Sequence, residues 1–175
     1  GFAERYRVSG KFRHIDSFAD VILLAAINDV FDLNLLKVES RHRPLMENKE
    51  RKGCLLKILL INICLRQDVE KILYPVGLSY VASAVHRSQH DLSIIDMDAD
   101  RIGYGELEDR LRAMDFDAVG FGCIVTGYKI VKELTRIVKK VHPAAWVIVG
   151  NSVASSVPET LLQNTAVDIA VIGEG

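Results

Sequence analysis

The feature that most constrains the fold of this chain is a regular alternation, from Leu55 onward, between short β-branched runs and longer amphipathic stretches. Strand-like runs that alternate with helical stretches of about ten to fifteen residues are typical of βαβ units, whose strands lie parallel. The predicted strands are Lys57–Asn62, Asp91–Asp96, Ala118–Gly122, Trp146–Gly150 and Ile169–Ile172. The predicted helices are Val76–Ser88, Tyr104–Met114, Tyr128–His142 and Val157–Gln163.

The apolar character of the predicted strands indicates how the sheet is covered. Ile58–Ile61 and Val147–Val149 are continuously apolar, which is typical of parallel strands that are buried on both faces. The connections between such strands are right-handed crossovers. We therefore predict an α/β fold, a doubly wound five-stranded parallel sheet of Rossmann/flavodoxin-like type with strand order 2-1-3-4-5.

The residues before the alternation form a separate region. Apolar residues recur with helical spacing between Phe18 and Val38, and a charged segment that contains Pro44 and Gly53 follows. We predict that residues 1–53 are a helical extension and linker and that residues 54–175 are the sheet domain.

The last residues of the chain are a strand that runs directly into Gly173-Glu174-Gly175. In an open parallel α/β sheet the ligand lies beyond the carboxyl ends of the strands, and this turn is at that edge. We therefore expect the chain to be one module of a larger protein.

Composition argues against several classes of function. The chain has 22 Lys and Arg residues against 23 Asp and Glu residues, so nothing indicates a partner nucleic acid. The longest apolar stretches, Val21–Ile27 and Leu55–Ile63, are shorter than the roughly 18 residues that a membrane span requires. Cys54, Cys64 and Cys123 form neither a CxxC pair nor an even disulfide framework, which predicts a cytoplasmic location.

The turns after the strands carry no phosphate-binding motif. The long loop after the first strand contains neither G-x-x-x-x-G-K-[ST] nor G-x-G-x-x-G, and the third strand lacks the terminal acidic residue of a response-regulator receiver. Small residues occupy this edge instead, namely Gly122, Cys123, Thr126, Gly127, Gly150, Asn151 and Ser152. They predict a broad shelf for a flat, bulky ligand, since glycine admits close approach to the backbone. The alternative is that the glycines only form turns and helix starts.

Six segments, in their order and spacing, resemble the cobalamin-binding domain at the N-terminus of many radical S-adenosylmethionine enzymes. The segments are Lys57–Asn62, Tyr74–Ala82, Asp91–Asp96, Phe116–Gly122, Val138–Gly150 and Val167–Gly175. The resemblance covers about residues 57–175. It implies a barrel domain after residue 175 that binds S-adenosylmethionine and an iron–sulfur cluster, both expected outside this chain. Members of the family include methyltransferases and the magnesium-protoporphyrin IX monomethyl ester oxidative cyclase, and the cyclase type is our first expectation.

The resemblance also implies where cobalamin would bind. The corrin would lie over the loops that begin at Cys64 and Cys123 and over the final turn, and the nucleotide tail would pass Gly122 and Gly150. The cofactor-binding residues predicted in this way are Asn62, Cys64, Leu65, Arg66, Gln67, Gly122, Cys123, Val125, Thr126, Gly150, Asn151, Ser152, Gly173 and Glu174. No catalytic residue and no metal ligand is assigned in this chain.

Two departures from the family pattern bear on that site. Cobalamin mutases carry D-x-H-x-x-G after the first strand, whereas here Asp68 is followed by Val69 and Glu70. The resemblance therefore implies base-off cobalamin without a histidine ligand. Cys64 as an axial thiolate is the less favoured alternative, because free cysteine is usually a small buried hydrophobe. The family usually has Gly-Gly where this chain has Gly150-Asn151, and the Asn151 side chain is expected to hinder the nucleotide tail.

A second hypothesis stays open beside cobalamin binding. The domain would be flavodoxin-like and would have lost cobalamin, with a structural or substrate-shaping role beside the barrel. Asn151 favours this hypothesis. The acidic residues Asp96, Asp98 and Asp100 follow the second strand and are interpreted as a solvated turn rather than a metal site.

Overall fold

The computed structural model describes residues 7–8, 11–12, 55–66, 74–88 and 90–172 of the chain. Arg7–Val8 pairs with Lys11–Phe12 in a short antiparallel ladder. The predicted helix between Phe18 and Val38 and the linker after it lie outside the described residues. The rest of the description concerns the sheet domain.

Five strands form one sheet, and every neighbouring pair in it is parallel. In chain order the strands are β1 (Lys57–Asn62), β2 (Asp91–Asp96), β3 (Ala118–Gly122), β4 (Trp146–Gly150) and β5 (Ile169–Ala170). Their order across the sheet is β2-β1-β3-β4-β5. The predicted doubly wound Rossmann/flavodoxin-like fold with strand order 2-1-3-4-5 is confirmed.

Helices connect the strands. They are α1 (Val76–Arg87), α2 (Tyr104–Arg112), α3 (Tyr128–Val141), α4 (Asn151–Ser156) and α5 (Pro158–Asn164), and a 3₁₀ turn spans Val125–Gly127. The sequence analysis missed α4, because six residues that follow a glycine read as a turn. It also made β5 two residues too long, although the Val171 N–H still donates to the Val149 carbonyl at 2.8 Å.

Helix α3 shows why these stretches become helices. Val131, Leu134 and Val138 recur at helical spacing and are fully buried, whereas the opposite side of the helix carries charged residues. Lys139 and Lys140 lie in the last turn, where positive charge interacts favourably with the carboxyl end of the helix dipole. The apolar stripe therefore fixes which side of α3 packs against the sheet.

The strands bury apolar side chains on both faces, as their continuous apolar runs predict. One face carries Leu59, Val119 and Val147, which pack in a single cluster with side chains of α2, α3, α4 and α5. The other face carries Ile58 and Ile148, which pack with side chains of α1. Among the described residues, α1 is the only helix on this second face.

Carboxylates occupy the amino edge of the sheet. Asp117 accepts a hydrogen bond from the backbone N–H of Lys57 at 2.8 Å. Asp168 accepts one from the backbone N–H of Val147 at 2.8 Å and forms an ion pair with Lys139 at 2.6 Å. These contacts fix the starts of the strands, so the carboxyl edge is left as the edge available to a ligand.

Candidate functional site

The loops after β1 and β3 and the start of α4, which follows β4 directly, lie at the carboxyl edge of the sheet. The backbone N–H of Cys123 donates to the Gly150 carbonyl at 3.3 Å, and the N–H of Val153 donates to the Cys123 carbonyl at 3.0 Å. The N–H of Val125 donates to the hydroxyl oxygen of Ser152 at 3.1 Å. Three hydrogen bonds therefore hold the loop after β3 to the end of β4 and the first turn of α4.

The loop after β1 packs against the loop after β3 at Gly127. A Cβ atom at Gly127 would collide with the Cys123 sulfur and would lie 3.1 Å from Leu65 Cδ2. Only glycine leaves room for both side chains without a shift of the neighbours. Residues of the loop after β1 thus lie beside those of the loop after β3.

Large apolar side chains are exposed where these loops meet. Leu65 is 41% exposed, Ile124 43% and Val125 42%. We call these three residues the apolar platform. Clustered apolar exposure on a folded domain is typical of a surface that binds an apolar partner or ligand.

A strip without side chains runs beside the platform. Gly120 of β3 pairs with Ile148 of β4, and Gly122 pairs with Gly150, so all three glycines lie on the face of the sheet that carries α1. Gly120 and Gly150 are buried, and Gly122 is exposed. We call Gly120, Gly122 and Gly150 the glycine strip. At Gly122, the exposed end of the strip, a ligand can approach the backbone closely.

Asn151 interrupts this open surface. Its φ of 69° lies in the left-handed region that glycine adopts readily and other residues avoid. A Cβ atom at Gly122 would lie 3.4 Å from the Cβ of Asn151 and 3.8 Å from its Nδ2. The side chain of Asn151 therefore lies over Gly122, at the carboxyl end of the glycine strip.

The two described cysteines face the protein interior. Burial raises the pKa of the Cys123 thiol to about 11, and Cys123 is 1% exposed. Burial and then a hydrogen bond to the Asp98 carboxylate raise the pKa of the Cys64 thiol. In the absence of a metal, burial therefore favours the protonated form of both thiols.

The structure brings most of the predicted cofactor-binding residues to this one edge. They are Asn62, Cys64, Leu65, Arg66, Gly122, Cys123, Val125, Thr126, Gly150, Asn151 and Ser152. Gln67, Gly173 and Glu174 lie outside the described residues. Ile124 lies in the predicted corrin-binding loop Cys123–Thr126 but is not among the predicted contact residues, because the regular alternation of side chains belongs to strands and β3 ends at Gly122.

The acidic residues after β2 form a turn. The Asp96 Oδ1 atom accepts hydrogen bonds from Asn62 Nδ2 at 2.8 Å and from the backbone N–H groups of Asp98 and Ala99. Asp100 forms an ion pair with Arg110 at 2.6 Å. In the part of the chain that the structure describes, no group of three or more His, Cys, Asp or Glu residues could hold a metal ion.

Among the described residues, no helix is long and apolar enough to cross a membrane.

A separate cleft of ≈350 Å³ lies between α1 and β2. Leu78 and Ala82 line it from α1, and Ile94 and Asp96 line it from β2. Among the described residues, neither the apolar platform nor the glycine strip contributes to its walls. The cleft is therefore distinct from the site at the loops.

This fold and this edge define an α/β ligand-binding domain. Its binding surface combines an apolar platform with a strip of bare backbone, which suits a large, flat ligand. The B12 binding domain family matches residues 63–175, more than half of the chain. The chain belongs to the B12 binding domain family.

Two curated relatives match over about two thirds of the chain. One is the "Uncharacterized methyltransferase PH0819" of Pyrococcus horikoshii, 27% identical over 125 residues, which are 69% of this chain and 27% of that protein. The other is the cytidylyl-2-hydroxyethylphosphonate methyltransferase of Streptomyces wedmorensis, 25% identical over 68% of this chain and 26% of that protein. The chain thus spans about a quarter of the length of these relatives.

Solved structures of a radical S-adenosylmethionine methyltransferase, TsrM from Kitasatospora setae, share the fold. The structure with cobalamin and a [4Fe-4S] cluster bound aligns with a TM-score of 0.53 and 16% identity, over 63% of this chain and 21% of that one. The structure with tryptophan substrate and a SAM analog gives a TM-score of 0.51 and 17% identity, over 61% of this chain and 21% of that one. At this level of identity the likeness concerns the fold.

Proposed function

We propose that this chain is the cobalamin-binding module of a larger radical S-adenosylmethionine enzyme. The observation that carries the proposal is the apolar platform beside the glycine strip, at the edge where parallel α/β sheets bind their ligands. Membership of the B12 binding domain family supports the identity of the ligand. The radical S-adenosylmethionine part rests on the fold shared with TsrM and on the sequence resemblance.

The residues at this edge fit a corrinoid. Leu65, Ile124 and Val125 offer apolar contact to the face of the macrocycle, and exposed Arg66 and Thr126 offer polar groups to its amide side arms. The nucleotide tail would pass Gly122, Gly150, Asn151 and Ser152. Gln67, Gly173 and Glu174 remain proposed contacts of the corrin.

We expect cobalamin to bind base-off without an amino acid ligand to cobalt. The sequence from Ile63 to Pro75 contains no histidine. Cys64 is buried and packs in the apolar core, which favours a structural role over that of an axial thiolate. The cofactor would supply the cobalt–carbon chemistry, and the residues of this chain would orient it and exclude water.

Methyl transfer is the reaction type that we propose for the whole enzyme. Both curated relatives are named as methyltransferases, and so is TsrM. The oxidative cyclase type that the sequence resemblance put first has no such support among these relatives. S-adenosylmethionine and the iron–sulfur cluster would belong to a barrel domain beyond residue 175.

A second candidate is a domain that has lost cobalamin and shapes the site of its partner barrel. The specific observation in its favour is the Asn151 side chain over Gly122, where the nucleotide tail would pass. The apolar platform does not separate the two candidates, because exposed Leu65, Ile124 and Val125 suit contact with a corrinoid and contact with a partner barrel alike. Membership of the B12 binding domain family is what favours cobalamin binding.

An anaerobic titration with hydroxocobalamin and methylcobalamin tests the choice. We expect saturable binding, a base-off visible spectrum and co-elution of the corrinoid with the protein on a sizing column. The same titration after Val125→Asp measures whether the corrinoid contacts the platform, since a carboxylate there would oppose apolar contact. If neither corrinoid binds, and neither binds when the barrel is present on the same polypeptide, the cobalamin proposal is wrong. The domain that has lost cobalamin would then be the remaining candidate.

A further inference from the structure

Asn151 occupies a backbone conformation that favours glycine. Its φ is 69°, and it is one of two non-glycine residues with positive φ in the described part of the chain. Asparagine tolerates this region better than most residues, but glycine adopts it without steric cost. Residues in such sparsely populated backbone conformations cluster at functional sites, and Asn151 lies at the carboxyl edge of the sheet.

The side chain of Asn151 is held in a defined orientation. Its Oδ1 atom accepts a hydrogen bond from the backbone N–H of Ser152 at 2.6 Å. Within the described ranges, its Nδ2 atom donates to no other group, and the residue is exposed. The amide nitrogen therefore points into open space beside Gly122, 3.8 Å from where a Cβ on that glycine would be.

We propose that Asn151 makes the site discriminate between corrinoids by their lower tail, a proposal that rests on the proposed function. The side chain lies over Gly122, the exposed end of the glycine strip, where a nucleotide tail would pass. The contact between Asn151 and Gly122 includes no residue of the apolar platform, so we expect contact between the platform and the corrin ring to depend little on residue 151. Asn151 thus lowers affinity for cobalamin, which carries a nucleotide, relative to cobinamide, which carries none.

The test is a comparison of the dissociation constants of hydroxocobalamin and diaquacobinamide, measured by quenching of the single Trp146. The proteins are the wild type, Asn151→Gly and Asn151→Asp. We expect Asn151→Gly to bind cobalamin about 10-fold more tightly while its affinity for cobinamide changes less than about 2-fold. Asn151→Asp keeps the volume of the side chain and is expected to keep the low affinity for cobalamin.

Thermal unfolding of the same variants checks that they are folded. Asn151→Gly is expected to unfold at the wild-type temperature or above it, because a φ of 69° suits glycine.

Two results would overturn the proposal. One is an unchanged ratio of the two dissociation constants in Asn151→Gly, and the other is weaker cobalamin binding by that variant, which would mean that Asn151 holds the tail. Both leave the proposed function intact, since the wild type still binds corrinoids. If neither corrinoid binds to any of the three proteins, also when the barrel is present on the same polypeptide, the proposed function itself is wrong and this proposal with it.

Discussion

The hydroxyl oxygen of Ser152 accepts a hydrogen bond from the backbone N–H of Val125 at 3.1 Å, so the first turn of α4 is tied to the loop that follows β3. The two residues are 27 positions apart in the chain. This bond holds part of the apolar platform in place relative to the end of the glycine strip.

We expect Ser152→Ala to lower the free energy of unfolding by about 1 kcal/mol, the usual effect of losing one hydrogen bond of this kind. Amide exchange at residues 124–127 should become faster, because their cross-loop contact is lost. Urea unfolding and hydrogen exchange measure the two effects. Ser156→Ala, at the exposed end of α4, is the control and should change neither. Unchanged exchange at residues 124–127 would mean that other contacts hold the loop.

Gly127→Ala is expected to destabilise the domain by about 1–3 kcal/mol, the range for overpacking a filled interior. The new methyl group would collide with the Cys123 sulfur and press on Leu65. Denaturant unfolding measures the loss, which should shrink in a Cys123→Ala background, because that change removes the colliding atom.

The matched control for Gly127→Ala is Gly105→Ala in α2, where an added Cβ meets nothing within 4 Å. There alanine should be neutral or should stabilise by about 0.5–1 kcal/mol, since glycine costs conformational entropy in a helix. Equal effects at the two glycines would contradict the packing described at Gly127.

Ile124→Ser is expected to weaken cobalamin binding by about 10-fold and to change stability little. The side chain is already 43% exposed in the free domain, so its removal costs little packing, whereas a bound corrinoid would bury it. Ile94→Ser is the control, because Ile94 is 52% exposed on β2, away from the platform. Equal loss of affinity in both variants would count against the platform as the corrin contact.

The domain should lose stability as the pH falls below about 6.5. Burial lowers the pKa of His90, and its Nδ1 atom accepts a hydrogen bond from the backbone N–H of Leu56 at 3.4 Å. The unfolded chain takes up the proton near the ordinary pKa of 6.5, before the folded domain does, so acid favours unfolding. The stability that His90 contributes is therefore complete above pH 6.5 and is lost as the pH decreases.

Melting temperatures between pH 7.5 and 5 measure this dependence in three proteins. His90→Asn should flatten the curve, because an amide oxygen can replace Nδ1 as acceptor and does not titrate. His86→Asn should keep the wild-type curve, since His86 is exposed in the last turn of α1. If the melting temperature of His90→Asn depends on pH as that of the wild type does, groups other than His90 cause the acid sensitivity.

The sequence predicts the order of the elements well, because the cause of that order is local. The predicted bounds of β1 to β4 match the structure, since an apolar run between turn residues is enough to define a buried strand. Helix α4 was missed because its length is set by packing of Val153 and Ala154 against the sheet rather than by a long apolar period. Among the described residues β5 pairs only with β4, so its end depends on that strand, which the local sequence does not show.

The sequence predicts the location of the site better than the direction of its side chains. Parallel strands place the predicted residues at one edge, so Leu65, Val125 and Ser152 come together as expected. Cys123 stays a predicted cofactor contact, but its side chain is 1% exposed and packs with side chains of α3 and α4, a direction that the residue type does not show. The positive φ of Asn151 also depends on the folded backbone at the end of β4, and the residue type alone does not predict it.

Helices cover the two faces of the sheet unequally, which affects which part of the domain unfolds first. Among the described residues, four helices lie on one face and α1 alone on the other, and β2 pairs only with β1. We therefore expect the corner made of β2 and α1 to unfold on its own, at lower cost than the block of β3, β4, α3 and α4. A corrinoid over the loops after β1 and β3 and over the start of α4 would slow the opening of that block and leave the corner as the part that opens first.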